Sequence, residues 1–170
     1  MLVVWVVVFW RIGYPSLLDP DEAHYAQLTR EMIRARSWFV PLLDGQPFID
    51  KPVFFHWLQA VFVRLLGESE LALRMPSALA AVTLIATVRW TATTLFDQRI
   101  GNWSALMFAT LPVTFALSSL GILDMAFSAF LFGGVSCLLV ATLNDRPRLQ
   151  WVGYLLVALA VMTKIGRAHV

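Results

Sequence analysis

Apolar residues in this 170-residue chain gather into long blocks, with polar residues confined to the stretches between them. The first block runs from Leu2 to Leu18. It is at the short limit for crossing a hydrocarbon core of about 30 Å, and Arg11 within it would have to snorkel to the headgroups. It lacks a basic leader and a small-residue cleavage site, which favours a first membrane helix over a removable signal. Met75 to Phe96 forms a second block, interrupted only by Arg89 near its far end. Asn102 to Leu120 and Gly121 to Leu143 follow, and after a polar turn from Asn144 to Arg148 comes Trp151 to Met162. About five membrane helices are expected.

The long polar section between the first two blocks carries two further helical patterns. From Asp19 to about Arg36, Tyr25, Leu28, Met32 and Ala35 share one face. From Phe54 to Leu66 the chain is rich in aromatic residues but too short to span, which suits a helix lying in the interface. Asp44 and Gly45 mark a turn between the two. The expected fold is all-α, a polytopic membrane protein with two interfacial helices in its first outer loop. It forms one truncated membrane-embedded domain: 1–18 the first membrane helix, 19–74 the outer loop, 75–164 helices two to five, and 165–170 an aberrant tail.

Composition agrees with this pattern. Hydrophobic residues make up 59% of the chain, charged residues 14%, and mean hydropathy is +0.71. Soluble chains carry roughly a quarter charged residues, so a secreted or cytosolic enzyme is excluded. The net charge of +2 is spread along the chain without a basic run, so no nucleic-acid partner is expected. The single cysteine, Cys137, lies in an apolar block and reads as a small buried hydrophobe.

The polar section from Asp19 to Arg74 holds eight of the eleven acidic residues and six of the thirteen basic ones. Arg89, Arg99, Arg146 and Arg148 all fall at one set of helix ends, which the positive-inside rule makes cytoplasmic. Asp21, Glu22, Asp50, Lys51, Asp124 and Lys164 then converge on the opposite face. That convergence is the main functional clue in the sequence.

Each of these residues also has a bland reading. Asp19, Pro20 and Glu22 can form the N-cap, first turn and capping-box partner of a helix. Asp21 is left over, with His24 and Tyr25 following on the same turn, and is placed to act as a general base. Lys51 opens the second interfacial helix, where it reads equally as a headgroup anchor or a phosphate ligand. Asp50 either neutralises Lys51 or serves as a hard oxygen ligand for a metal. His56 reads as a satisfied polar tip. Asp124 sits between Leu123 and Met125, where an acid is costly unless paired or working.

Taken in order, the stretches YPSLLDPDEAHYAQLTREMI, PFIDKPVFFHWLQ, LALRMPSALAA and LGILDMAF resemble the N-terminal part of the polyprenyl-phosphate-sugar glycosyltransferases of the GT-C fold. The likeness is to the aminoarabinose transferases of lipid A and the wider protein mannosyltransferase family, and it extends from Tyr14 to Lys164. It implies an integral enzyme of the bacterial inner membrane, active on the periplasmic face. Such an enzyme moves a sugar from a polyprenyl phosphate donor to lipid A, another glycolipid or a protein, with inversion at the anomeric carbon.

By the same resemblance Asp21 matches the catalytic aspartate, with Glu22 beside it, and Asp124 the second acid. Lys51, with His24 and Tyr25, matches the group that holds the carrier phosphate, His24 standing where the aminoarabinose transferases have arginine. Asp50 occupies an acidic position that joins later histidines to bind zinc in some members. The chain itself, ending soon after Lys164, is expected to be inactive alone. Outside the resemblance, the residues also fit a fragment of a membrane transporter or channel, with Asp124 lining an ion path, or a non-enzymatic membrane scaffold.

Overall fold

The computed structural model describes residues 8–9, 12–14, 16–17 and 20–164. Most of the first apolar block, the cap expected at Asp19 and the tail 165–170 lie outside the described residues. The elements are α1 (Asp21–Ala35), β1 (Leu42–Leu43), β2 (Gln46–Pro47), α2 (Phe54–Leu66), α3 (Glu70–Leu95), α4 (Gln98–Ala109), α5 (Pro112–Ser118), α6 (Leu123–Leu143) and α7 (Pro147–Thr163). Apart from one short hairpin the described structure is all-helical, as expected.

Helix α1 has Pro20 at its N-cap, and among the described residues no side chain caps it; Glu22, assigned to a capping box by the sequence, turns inward and is buried. The other end closes as a left-handed Arg36 (φ 55°) donates its amide to Met32. The buried face carries Ala26, Leu28, Thr29 and Met32, while Ala35 is exposed.

Asp44 (φ 52°) and Gly45 (φ 75°) form the hairpin turn, with Leu43 opposite Gln46. Two consecutive positive φ values are what a two-residue turn between twisted strands requires. The Glu31 carboxylate accepts the amides of Asp44 and Gly45 at 3.0 and 3.2 Å, so the hairpin is pinned to α1.

Helix α2 matches its expected bounds. Trp57 Nε1 donates to the Trp38 carbonyl at 2.7 Å, which ties α2 to the segment after α1. Helix α3 begins at Glu70 rather than Met75, because Ser69 caps it, accepting from the Ala72 amide at 3.2 Å. Arg74 therefore lies inside the helix.

The block from Asn102 to Leu120 is not one straight helix. Leu111 is extended ahead of Pro112, and α4 and α5 meet at 65°. Helices α3 and α6 are each long and apolar enough to cross a membrane, and the α4–α5 pair, bent by 65°, is either a broken third span or a re-entrant loop. With the shorter apolar α7, this is a multi-pass membrane protein.

Helices α6 and α7 run antiparallel around a tight turn in which Asp145 has φ 54°. Their backbones approach closely at Gly134 and Gly153. A Cβ on Gly134 would lie 2.9 Å from the Gly153 carbonyl oxygen, and one on Gly153 would lie 3.0 Å from that of Gly134. The main core joins Val8 and Ile12 to Ala78, Ala81, Leu84 and Ile85 of α3, Ala105 and Ala109 of α4, and Met125 and Ala129 of α6.

Candidate functional site

The first turn of α1 stands over the first turn of α6. Asp21 is exposed at the start of α1. One turn later the Tyr25 ring packs on a cluster of Phe55, Leu123 and Ala126, and Leu123 is the immediate neighbour of Asp124. Burial pushes the Tyr25 hydroxyl above its ordinary pKa of 10.0, and the negative charges of Asp21 and then Asp124 push it further. Two carboxylates far apart in sequence thus act on one phenol.

The segment after the pinned hairpin brings Phe48 against His24 of α1. His24 meets the Phe48 ring edge-on at 5.0 Å between centroids and the Tyr25 ring at 6.2 Å. Lys51 Nζ lies 3.7 Å from Asp50 Oδ2, both side chains being largely buried. Among the described residues no ion pair joins Lys51 to Asp21 or Asp124.

Asp124 pairs with Lys164, whose Nζ donates to Asp124 Oδ1 at 2.6 Å across the ends of α6 and α7. This places the start of α6 and the end of α7 on one face, as the charge pattern predicts. The acid sits at a helix end in a half-exposed ion pair.

Behind these groups lies a buried polar frame. Arg74 donates from Nε to Glu22 Oε1 at 2.6 Å and from Nη2 to Glu22 Oε2 at 2.8 Å, with both side chains nearly inaccessible. Its Nη1 and Nη2 also reach the carbonyls of Ile12 (2.9 Å) and Ser16 (3.2 Å). Glu22 Oε1 accepts the Gly121 amide at 2.7 Å. In this setting Glu22 ties helices together, and its carboxylate is turned away from solvent, unlike that of Asp21.

Gln59 donates from Nε2 to the carbonyls of Leu73 (3.0 Å) and Gly121 (3.3 Å), so its Oε1 must accept, and it does so from the Thr29 hydroxyl at 2.6 Å. That hydroxyl has spent its proton. The 2.9 Å contact between Thr29 Oγ1 and His56 Nδ1 is therefore a bond donated by the imidazole, which fixes the Nδ1–H tautomer. His56 is buried rather than a polar tip at the surface, and its Nε2 has no hydrogen-bond partner among the described residues. Burial, the largest cause, lowers its pKa to about 4; Gln59 raises it in part and His24 lowers it further.

Comparison with known proteins gives this arrangement its family. Residues 50–170 match the family model described as dolichyl-phosphate-mannose-protein mannosyltransferase. The chain belongs to that family. It is 31% identical over 157 residues to the undecaprenyl phosphate-alpha-4-amino-4-deoxy-L-arabinose arabinosyl transferase of Yersinia enterocolitica, covering 91% of this chain and 28% of the relative. Against the Shewanella sediminis protein of the same name it is 30% identical over 166 residues, covering 90% and 29%.

Two crystal structures of ArnT from Cupriavidus metallidurans superpose on 96% of this chain and 31% of theirs at 23% identity. The TM-score is 0.85 for the apo state and 0.91 for the form bound to undecaprenyl phosphate. The chain thus spans under a third of the length of these mannosyltransferase-family relatives, and it shares their fold over that part.

Of the residues singled out in sequence, Asp21 and Asp124 both act by their charge on Tyr25, His24 packs on Phe48, and Lys51 pairs with its neighbour Asp50. Among the described residues no group of three or more His, Cys, Asp or Glu side chains, at Asp50 or elsewhere, is placed to hold an ion. The residues present here do not by themselves fit zinc. Sequence reasoning missed Thr29, Gln59, Arg74 and Gly121 as parts of the site's support. The only signal was Arg74, a charge at the edge of an apolar block.

Proposed function

We propose that this chain is the N-terminal part of a membrane glycosyltransferase that moves a sugar from a polyprenyl phosphate carrier to an acceptor, lipid A being the first candidate. The observation that carries the reading is that the charges of both Asp21 and Asp124 bear on Tyr25, whose ring packs on Leu123 next to Asp124, in a family whose relatives are named for transfer from undecaprenyl phosphate. In such a displacement negative charge grows on the leaving phosphate while the acceptor oxygen loses its proton.

Asp21, exposed at the start of α1, is the base for the acceptor. Lys51 supplies the fixed cation for the phosphate, with His24 and Tyr25 lining its approach. Asp124, held by Lys164, bounds the sugar on the other side. Glu22 supports this set from behind. Any metal dependence of the whole enzyme would draw on Asp50 together with ligands outside this chain, and no step here is routed through it. The site faces the periplasm from the bacterial inner membrane.

The test is transfer of labelled sugar from a polyprenyl phosphate donor by the full-length protein in membranes. Asp21→Asn and Lys51→Ala should each lower the rate about a hundredfold or more, the size of a lost catalytic base or charge clamp. Transfer by both variants at the wild-type rate would return Asp21 to a helix-end charge and Lys51 to a headgroup anchor.

A further inference from the structure

The link between α5 and α6 is gripped from three other helices immediately before Asp124. The Gly121 amide donates to Glu22 Oε1 of α1 at 2.7 Å, and the Gly121 carbonyl accepts from Gln59 Nε2 of α2 at 3.3 Å. On the next residue, the Ile122 carbonyl accepts from Ser77 Oγ of α3 at 3.0 Å. The three gripping side chains are all buried.

There is no room for slack in this grip. A Cβ on Gly121 would sit 3.1 Å from the Leu73 carbonyl oxygen, 3.3 Å from Glu22 Oε1 and 3.4 Å from Gln59 Nε2. Helix α6 has no side-chain cap of its own, so nothing local sets where its first turn begins. Asp124 lies in that turn, and Glu22 is the neighbour of Asp21.

From this geometry we infer that Glu22, Gln59 and Ser77 are positioning residues that set Asp124 against Asp21 and Tyr25 through the Gly121–Ile122 peptides. This inference rests on the transferase reading. It assigns Glu22 to positioning, where the sequence resemblance grouped it with the catalytic acids. Gln59 is the centre of the device, because its amide also fixes Thr29 and, through it, the His56 tautomer. A small shift of a reacting group is enough to lower a rate steeply, so the clamp acts on turnover more than on donor binding.

The test is a double-mutant cycle on kcat and donor KM in the full-length protein, with Gln59→Leu and, as a milder variant that keeps the fold, Ser77→Ala. Each is measured alone and in an Asp124→Asn background. In the wild-type background Gln59→Leu is expected to lower kcat about tenfold and Ser77→Ala about threefold, with donor KM changed less than about twofold. Because both act through Asp124, neither should lower kcat further once Asp124 is Asn. Equal losses in both backgrounds, a loss confined to KM, or an unchanged kcat would overturn the clamp while leaving the transferase reading intact. Absence of transfer by the wild type would instead overturn that reading, and the clamp with it.

Discussion

Gln59 has two amide protons and two carbonyls to receive them, and from that count the whole protonation pattern of its neighbours follows. Thr29 must donate to Gln59, His56 must donate to Thr29, and the remaining imidazole nitrogen faces a buried, unbonded position. Protonating it would place an N–H with no acceptor in an apolar surrounding, which is why burial dominates its shift to about 4. The unfolded chain takes up this proton near 6.5, so between the two values the unfolded state binds more protons and stability falls as pH falls. Across that window the loss amounts to about 3 kcal/mol, complete only below the folded value. Thermal unfolding of the full-length protein in detergent from pH 7 to 4 should show this slope, and His56→Phe should flatten it; an equal slope in the variant would mean that other groups carry it. Asp124 stood out in the sequence because a carboxylate between apolar residues has few inexpensive explanations, and Asp21 because a helix cap at Asp19 and Glu22 left it over. Thr29 and Gln59 were not, since each is an ordinary polar residue on an amphipathic helix until its distant partner is known.

At the scale of elements, hydropathy located α2, α3, α6 and α7, because burial in lipid and burial in protein both demand apolar side chains. Hydropathy could not locate the break between α4 and α5, where Pro112 bends an apolar block without changing its polarity. Nor does it report how closely two helices approach. Gly134 and Gly153 face one another across α6 and α7 with no room for a side chain on either, and it is this packing that brings Lys164 to Asp124. Gly153→Leu should force the pair apart and cost about 1–3 kcal/mol by overpacking. A lowered unfolding midpoint in detergent, with sugar transfer falling alongside it, is the expected outcome. Full stability in the variant would mean that the two helices separate at no cost and that Lys164 reaches Asp124 by its own flexibility.

For the whole molecule, the informative feature of the sequence was the sorting of charge. Arginines mark one set of helix ends, while most of the acids and both lysines lie on the side of the polar section, and the ion pair between Asp124 and Lys164 shows that one of those sets does meet in space. Charge sorting predicts a face, whereas the buried frame of Glu22, Arg74, Gln59 and Gly121 that holds the face together depends on contacts between residues far apart along the chain, which no local window contains. The same sorting makes a prediction about sidedness. Gln46 is exposed on the hairpin beside the site, and Arg148 is exposed at the start of α7 on the opposite side of the bundle. In a Cys137→Ser background, Gln46→Cys in the full-length protein should react with a membrane-impermeant maleimide once the outer membrane is opened. Arg148→Cys should react only after the inner membrane is also breached, because basic loops are retained in the cytoplasm. The reverse pattern would put Asp21, Lys51 and Asp124 on the cytoplasmic side, where the carrier lipid would have to present its sugar to the opposite leaflet from the one proposed here.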